Sequence, residues 1–365
     1  MRPLFFLFLL ILIPFAGQCG SISGKISDQK GETLPFATVF VVGTTVGTSA
    51  NAAGEYMLQL APGTYKIACQ FIGYKQQVYT AVISDAPLVH NFSLEEQSLE
   101  MKAVEVKASE DPALYIMRKV IAKRSFHANQ IKTFQTGIYL KGVFKTRQTP
   151  NKVLGQKVEA GEMGLDSAGK GILYLCEQVA TYYTQGNRDQ TIIHSVRESG
   201  DPNGLGLSRF PPVINMYENN VKVASGFSPR GFISPVSDAA LGYYKFKLEG
   251  DFTESGNTIY KIRVTPKRKY EPLFTGVIYI VDDQYALHSV DLLTTKTSNL
   301  EFLDSLRVEQ IYLPLDKETW IIKQQVMHAA VKLFGFDIVG NFVTVYNDQK
   351  VNQQIPDSVF DKNWF

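Results

Sequence analysis

Residues 54–74 constrain what this chain can fold into more than any other stretch: Gly-Glu-Tyr-Met-Leu-Gln-Leu-Ala-Pro-Gly-Thr-Tyr-Lys-Ile-Ala-Cys-Gln-Phe-Ile-Gly-Tyr. Two strand-length runs alternate apolar and polar at period two, on either side of Pro62-Gly63. In the first, Tyr56, Leu58 and Leu60 share a face, with Glu55, Met57 and Gln59 opposite. In the second, Tyr65, Ile67, Cys69 and Phe71 share a face, with Thr64, Lys66, Ala68 and Gln70 opposite. A helix cannot use this period, because it would scatter the apolar residues around its axis. The pattern predicts a half-buried antiparallel hairpin within a small β-sandwich.

The surrounding residues extend that unit over 19–95. Strands are expected at Ser21–Ser27, Phe36–Val42, Thr48–Ala50, Gln76–Ile83 and Leu88–Leu94, with turns at Asp28-Gln29-Lys30-Gly31 and Asn51-Ala52-Ala53-Gly54. Gly24-Lys25-Ile26, Leu34-Pro35-Phe36-Ala37-Thr38-Val39 and the 54–74 string resemble the carboxypeptidase-regulatory-like domain, a transthyretin-like sandwich appended to many bacterial envelope proteins. The resemblance implies an accessory module and no catalyst.

The N-terminus sets the expected compartment. Arg2, an apolar run from Leu4 to Phe15 and the exit Ala16-Gly17-Gln18 have the form of a secretory signal peptide over 1–18. The run is shorter than the roughly 20 residues of a membrane-spanning helix. The chain is therefore expected in the periplasm or at the periplasmic face of the outer membrane. Cys19 raises lipid anchoring as an alternative, although Gln18 is a poor fit to the small residue such processing prefers. Cys69 and Cys176 read as small buried hydrophobes, without metal spacing.

A charged connector, 96–110, holds a short strand at Ala103–Lys107. Asp111-Pro112 then supplies an N-cap with proline at the first helical position. Ala113, Ile116, Met117, Val120 and Ile121 form the helix's apolar stripe. The rest of 111–346 is β, in longer strands at Phe134–Lys145, Asn257–Thr265, Gly276–Val281, Tyr285–Leu293, Leu306–Tyr312, Thr319–Val331 and Phe336–Tyr346, and a tail follows over 347–365. Asp282-Asp283 is expected to turn a hairpin. From about Ser195 to Asp238 the regularity fails, which predicts a long loop that is functional or covers an open sheet face. The expected fold class is mainly β: a transthyretin-like sandwich, a helix, and a curved antiparallel sheet. Its pattern over Ile259–Asp291 resembles the half-barrel of periplasmic lipoprotein carriers.

A wider resemblance rests on Asp111-Pro112-Ala113 with Ile116-Met117-Arg118-Lys119-Val120-Ile121, on Tyr217-Glu218-Asn219, Phe232-Ile233-Ser234-Pro235 and Ala240-Leu241-Gly242-Tyr243-Tyr244, and on Thr265-Pro266-Lys267 with Phe274-Thr275-Gly276. These resemble a Bacteroidetes-type envelope family of unassigned function, in which the regulatory-like domain precedes an uncharacterised domain and, usually, an outer-membrane barrel. About twenty residues follow Tyr346, whereas a small barrel needs eight strands of about ten residues. Membrane insertion is therefore not carried over to this chain. Trp364-Phe365 is expected to be a docked tail or a truncation point.

The formal charge of +2 implies no nucleic-acid partner. Its distribution is uneven: Pro112–Val158 holds ten Lys or Arg residues and no Asp or Glu. One reading is a solvated face. The other is contact with anionic headgroups or lipopolysaccharide phosphates through Arg118, Lys119, Lys123 and Arg124, with peripheral association at the outer membrane. Five histidines (His90, His127, His194, His288, His328) form no metalloprotease motif, and no nucleophile elbow or phosphate loop is present. His194 and Glu198, four apart in an expected strand, would share a face but lack a third ligand. No catalytic residue, metal or cofactor is assigned. Three functions stay open: a non-enzymatic envelope binding or scaffold protein with a protein or lipid partner, a lipid or lipoprotein carrier, and an enzyme whose site assembles from distant residues. A continuous apolar cavity under the 195–238 loop would favour the carrier, convergent His, Asp and Glu side chains in a cleft the enzyme, and a filled interior with a conspicuous exposed patch the scaffold.

Overall fold

The computed structural model describes residues 20–100, 111–158, 161, 163–200, 213–223, 228, 230–295 and 303–361. The expected signal segment, Cys19, the strand at 103–107 and Trp364-Phe365 lie outside the described residues.

The first unit is a sandwich of β1 (Gly20–Asp28), β2 (Thr38–Val41), β3 (Gly47–Ser49), β4 (Glu55–Leu60), β5 (Gly63–Gln70), β6 (Gln77–Ile83), β7 (Leu88–Val89) and β8 (Phe92–Leu94). One sheet runs β4-β1-β7, with β8 also on β1, and the other runs β3-β2-β5-β6. β4 buries Tyr56, Leu58 and Leu60 and exposes the residues between, as its alternation requires. The expected hairpin is not formed. β4 pairs with β1, placing Tyr56 opposite Gly24, while β5 pairs with β2 and β6. The chain therefore crosses from one sheet to the other at Ala61-Pro62. Alternation dictates which face of a strand is buried, and two strands facing one core from opposite sheets carry the same pattern as two neighbours. Ile22, Ile26, Val39, Ile67, Phe92 and the free Cys69 are fully buried in that core.

At the end of β5 the alternation stops, and Ile67, Ala68, Cys69 and Gln70 are all buried. The second unit covers the outer face there. It opens with α1 (Pro112–Asn129), where the Asp111 carboxylate accepts from the Ala113 N–H at 2.9 Å and proline sits in the first turn. Ala113, Ile116, Met117 and Val120 are buried, as the stripe predicted, with Ile121 half-buried.

The chain continues through β9 (Thr133–Gln148), the small hairpin β10 (Lys152–Val153) and β11 (Gln156–Lys157), then β12 (Gly171–Gln185) and β13 (Arg188–Gly200). β14 (Asn220–Val221) pairs with β15 (Phe232–Ile233), and the short α2 (Ala240–Tyr243) follows. Seven strands complete the unit: β16 (Tyr244–Glu254), β17 (Asn257–Pro266), β18 (Thr275–Val281), β19 (Leu287–Thr295), β20 (Leu303–Pro314), β21 (Trp320–Leu333) and β22 (Phe336–Val351). Ten strands form one antiparallel sheet, ordered β13-β12-β9-β22-β21-β20-β19-β18-β17-β16. Laid flat, its nine inter-strand gaps would span about 43 Å, far wider than one helix of about 27 Å could cover side-on. The sheet is curved, and one continuous core reaches from Phe144 and Cys176 to Phe246 across its inner face.

Every long strand expected from periodicity is present, and Asp282-Asp283 lies in the turn between β18 and β19. The irregular region begins later than expected, because β13 continues to Gly200. Its sequence, Arg-Asp-Gln-Thr-Ile-Ile-His-Ser-Val-Arg-Glu-Ser-Gly, mixes polar and apolar residues on both faces and so lacks the alternation that marks a half-buried strand.

Candidate functional site

A carrier of this shape would keep its ligand against the inner face of the sheet. Here residues 213–223 occupy that position. Ile214 and Met216 are almost fully buried, and Tyr217 and Val221 join the same core. Polar groups pin the segment in place. Gln325 Oε1 accepts from the Ile214 N–H at 2.9 Å, and Gln310 Nε2 donates to the Ile214 carbonyl at 2.6 Å. Gln310 also donates to Gln325 Oε1 and accepts from the Tyr312 hydroxyl at 2.7 Å. Two glutamines on an apolar face are thereby bonded to backbone that enters from a connection, and Tyr312 is bonded to one of them. The Tyr217 hydroxyl accepts from the Leu287 N–H at 2.8 Å, and Ser234 Oγ donates to the Met216 carbonyl at 2.6 Å. Burial pushes the Tyr217, Tyr312 and Tyr346 phenols up, so all three stay neutral hydrogen-bonding groups. Deeper in, Phe144 and Phe342 meet edge to face at 4.8 Å over Gly142 and Gly340, whose missing side chains leave room for the rings.

The outer face of β20–β22 carries the sandwich. Phe36, at φ 64°, packs on Val326, Val343 and Val345, and its carbonyl accepts from Gln324 Nε2 at 2.6 Å. Lys323 is 1 % exposed and donates to the Tyr346 carbonyl at 2.9 Å, to Asn347 Oδ1 at 2.7 Å and to the Thr45 carbonyl of the sandwich. Burial lowers its pKa from the ordinary 10.5 to about 7, against the pull of Asp348. His328 is shifted the other way. Burial opposes its charge, but hydrogen bonds with Glu309 and Asn341 outweigh that and raise its pKa.

Two hollows of about 10 Å³ lie in this junction, room for about one water each. One is lined by Gln70, Phe71, Phe252, Glu254, His288 and Ser289. His288 Nε2 lies 2.8 Å from Glu254 Oε1 and its Nδ1 lies 3.1 Å from Ser289 Oγ, while Gln70 Nε2 donates to Glu254 at 3.2 Å. Serine, imidazole and carboxylate in series have the connectivity of a hydrolytic triad. The hollow has no room for an acyl substrate, and His288 and Ser289 are each under 5 % exposed. What this cluster can do is join sandwich to sheet. Sequence reasoning missed it, because Glu254 and His288 lie 34 residues apart and only a bulge in β19 turns His288 toward Glu254.

The four basic residues singled out on α1 separate into two pairs. Arg118 and Lys119 are exposed, and Lys119 lies over the Tyr115 ring. Arg124 grips both Asp238 carboxylate oxygens at 2.8 Å and donates to the Tyr217 carbonyl, tying the helix to the segment that fills the sheet. Lys123 donates to the Asp283 carbonyl at 2.8 Å. His194 and Glu198 do not share a face. A bulge between Ile193 and Ser195 turns His194 to Thr181 Oγ1 at 2.7 Å, while Glu198 sits opposite Cys176 on the inner side. Among the described residues no group of three or more His, Cys, Asp or Glu could hold a metal.

A regulatory-type sandwich joined to a curved ten-stranded sheet defines a two-unit, mainly β protein. The second unit matches the family of unknown function DUF5686 over residues 116–349, and the chain belongs to that family. Residues 22–106 match the CarboxypepD_reg-like domain. No curated protein matches the sequence. Among solved structures, the chain is similar to a LolA superfamily protein from Nitrosomonas europaea, at 11 % identity over 69 % of this chain and 99 % of that one, with a TM-score of 0.24. It is also similar to a putative outer membrane lipoprotein-sorting protein domain from Vibrio parahaemolyticus, at 12 % identity over 68 % and 98 %, TM-score 0.30. A putative carbohydrate binding protein from Bacteroides uniformis shares 13 % identity over 50 % and 98 %, TM-score 0.18. At these scores the likenesses decide nothing about ligand or activity.

Proposed function

We propose that this chain is a non-enzymatic binding or scaffold protein of the bacterial cell envelope, acting in the periplasm or at the periplasmic face of the outer membrane. The observation that carries the reading is the filled interior: residues 213–223 and the aromatic residues around them occupy the place a carrier would give to its ligand. The signal-like N-terminus supports the compartment. The sandwich, held to the sheet by Lys323, Gln324 and Phe36, supports a rigid two-unit body whose outer surfaces meet partners. Native mass spectrometry of the protein released from its own envelope tests this. A stoichiometric protein partner without lipid is expected, and lipid bound one to one with no protein partner would overturn the reading.

One observation favours the carrier as a second reading. Ile193 and Val196, on the inner side of β13, are 54 % and 46 % exposed, so apolar inner surface continues beyond the filled part. An acyl chain lying there would appear as the bound lipid in the same measurement.

A further inference from the structure

Among the described residues four hairpins close through two-residue turns: Leu154-Gly155, Gly186-Asn187, Ser255-Gly256 and Phe334-Gly335. In three of them a non-glycine residue near φ 50° is followed by glycine near φ 85°, the type I′ pattern that favours Asn, Asp or Gly at the first position. Ser255-Gly256 and Gly186-Asn187 keep small or polar residues and lie at one end of the sheet. The other two lie at the opposite end and put leucine (φ 48°) and phenylalanine (φ 49°) where a bulky side chain is strained. Neither side chain is repaid by burial, since Leu154 is 89 % and Phe334 62 % exposed. The Phe334 turn meets the chain that leads into the Leu154 hairpin: a side chain on Gly335 would run into Pro150, two residues before β10. The Leu154 hairpin also sets Lys152 directly opposite Lys157, a cross-strand pairing that works against the hairpin. Between Pro150 and Val158 there is no acidic residue; Glu159 and Glu162 follow in sequence and lie outside the described residues.

Strained apolar tips left in water, that of Leu154 flanked by facing lysines, are poor choices for folding and good ones for a surface that is apolar beneath and anionic above. We propose that Leu154 and Phe334 are membrane-docking tips, which enter the interface of an anionic lipid bilayer while Lys152 and Lys157 meet its headgroups. The proposal rests on the envelope reading and names one partner within it. It moves the lipid contact from α1 to the end of the sheet where β9 and β22 meet.

Sedimentation of the full chain with phosphatidylglycerol–phosphatidylcholine vesicles, against vesicles of phosphatidylcholine alone, tests it. Binding to the anionic vesicles is expected, at least tenfold stronger than to the neutral ones. The double variant L154N/F334N is expected to bind at least tenfold more weakly while melting at the same temperature or higher, because asparagine suits both turns. The double variant K152Q/K157Q should lose several-fold in binding, together with most of its salt dependence. Failure of the wild-type chain to bind anionic vesicles, unchanged binding by L154N/F334N, or a lowered melting temperature in that variant would overturn the proposal. A protein partner found by native mass spectrometry alongside absent vesicle binding would remove the tips and leave the scaffold reading standing.

Discussion

β20–β22 and the β12–β13 hairpin belong to one sheet and obey one set of pairing rules, yet they live in different surroundings. In β21 every residue from Trp320 to Met327 is buried: the inner face lies against the central core and residues 213–223, and the outer face lies under the sandwich. In β13 no residue is buried, and Ile193 and Val196 stand in solvent. The difference teaches that a strand's place in the sheet does not set its burial. What the connections and the neighbouring unit bring to each face sets it.

That contrast can be broken or sharpened by substitution. The largest effect is expected for Phe342→Ala, which empties the space between Gly142 and Gly340; a loss of about 3–4 kcal/mol should appear in urea unfolding. Gln325→Leu leaves the buried Ile214 N–H without its acceptor and should cost about 2 kcal/mol, with faster hydrogen exchange over 213–223. Lys323→Met tests the outer face through pH. The folded lysine has a pKa of about 7 and the unfolded one about 10.5, so across that window the unfolded chain binds the proton the folded chain lacks. Stability of the wild type should therefore rise with pH, by up to about 1.4 kcal/mol per unit, and Lys323→Met should flatten that part of the profile. Ile193→Ser, in the exposed hairpin, should shift stability by no more than about 0.5 kcal/mol. A loss of 2 kcal/mol there would show that something covers β13 and erase the contrast.

The legible parts of the chain were those carried by local chemistry. The Asp111 cap, the stripe of α1 and the long strands from Asn257 to Tyr346 all follow from residues near one another in sequence. Arg124 was singled out for its charge, but its role depends on Asp238, 114 residues away. The same distance problem hid the Gln310–Gln325–Ile214 network and the Glu254–His288 pair. β12 and β16 were not among the strands expected, and β13 was expected only around His194 and Glu198; its residues mix polar and apolar on both sides, and periodicity carries no signal without a buried face.

Sequence alone determined the faces: which side chains of β4 and α1 turn inward is written in a period of two or of 3.6, because solvent sorts residues locally. Only the tertiary structure decided the neighbours. Whether β4 pairs with β5 or with β1, what fills the curved sheet, and which turns come together at its end depend on contacts between residues far apart along the chain, and no local pattern records them.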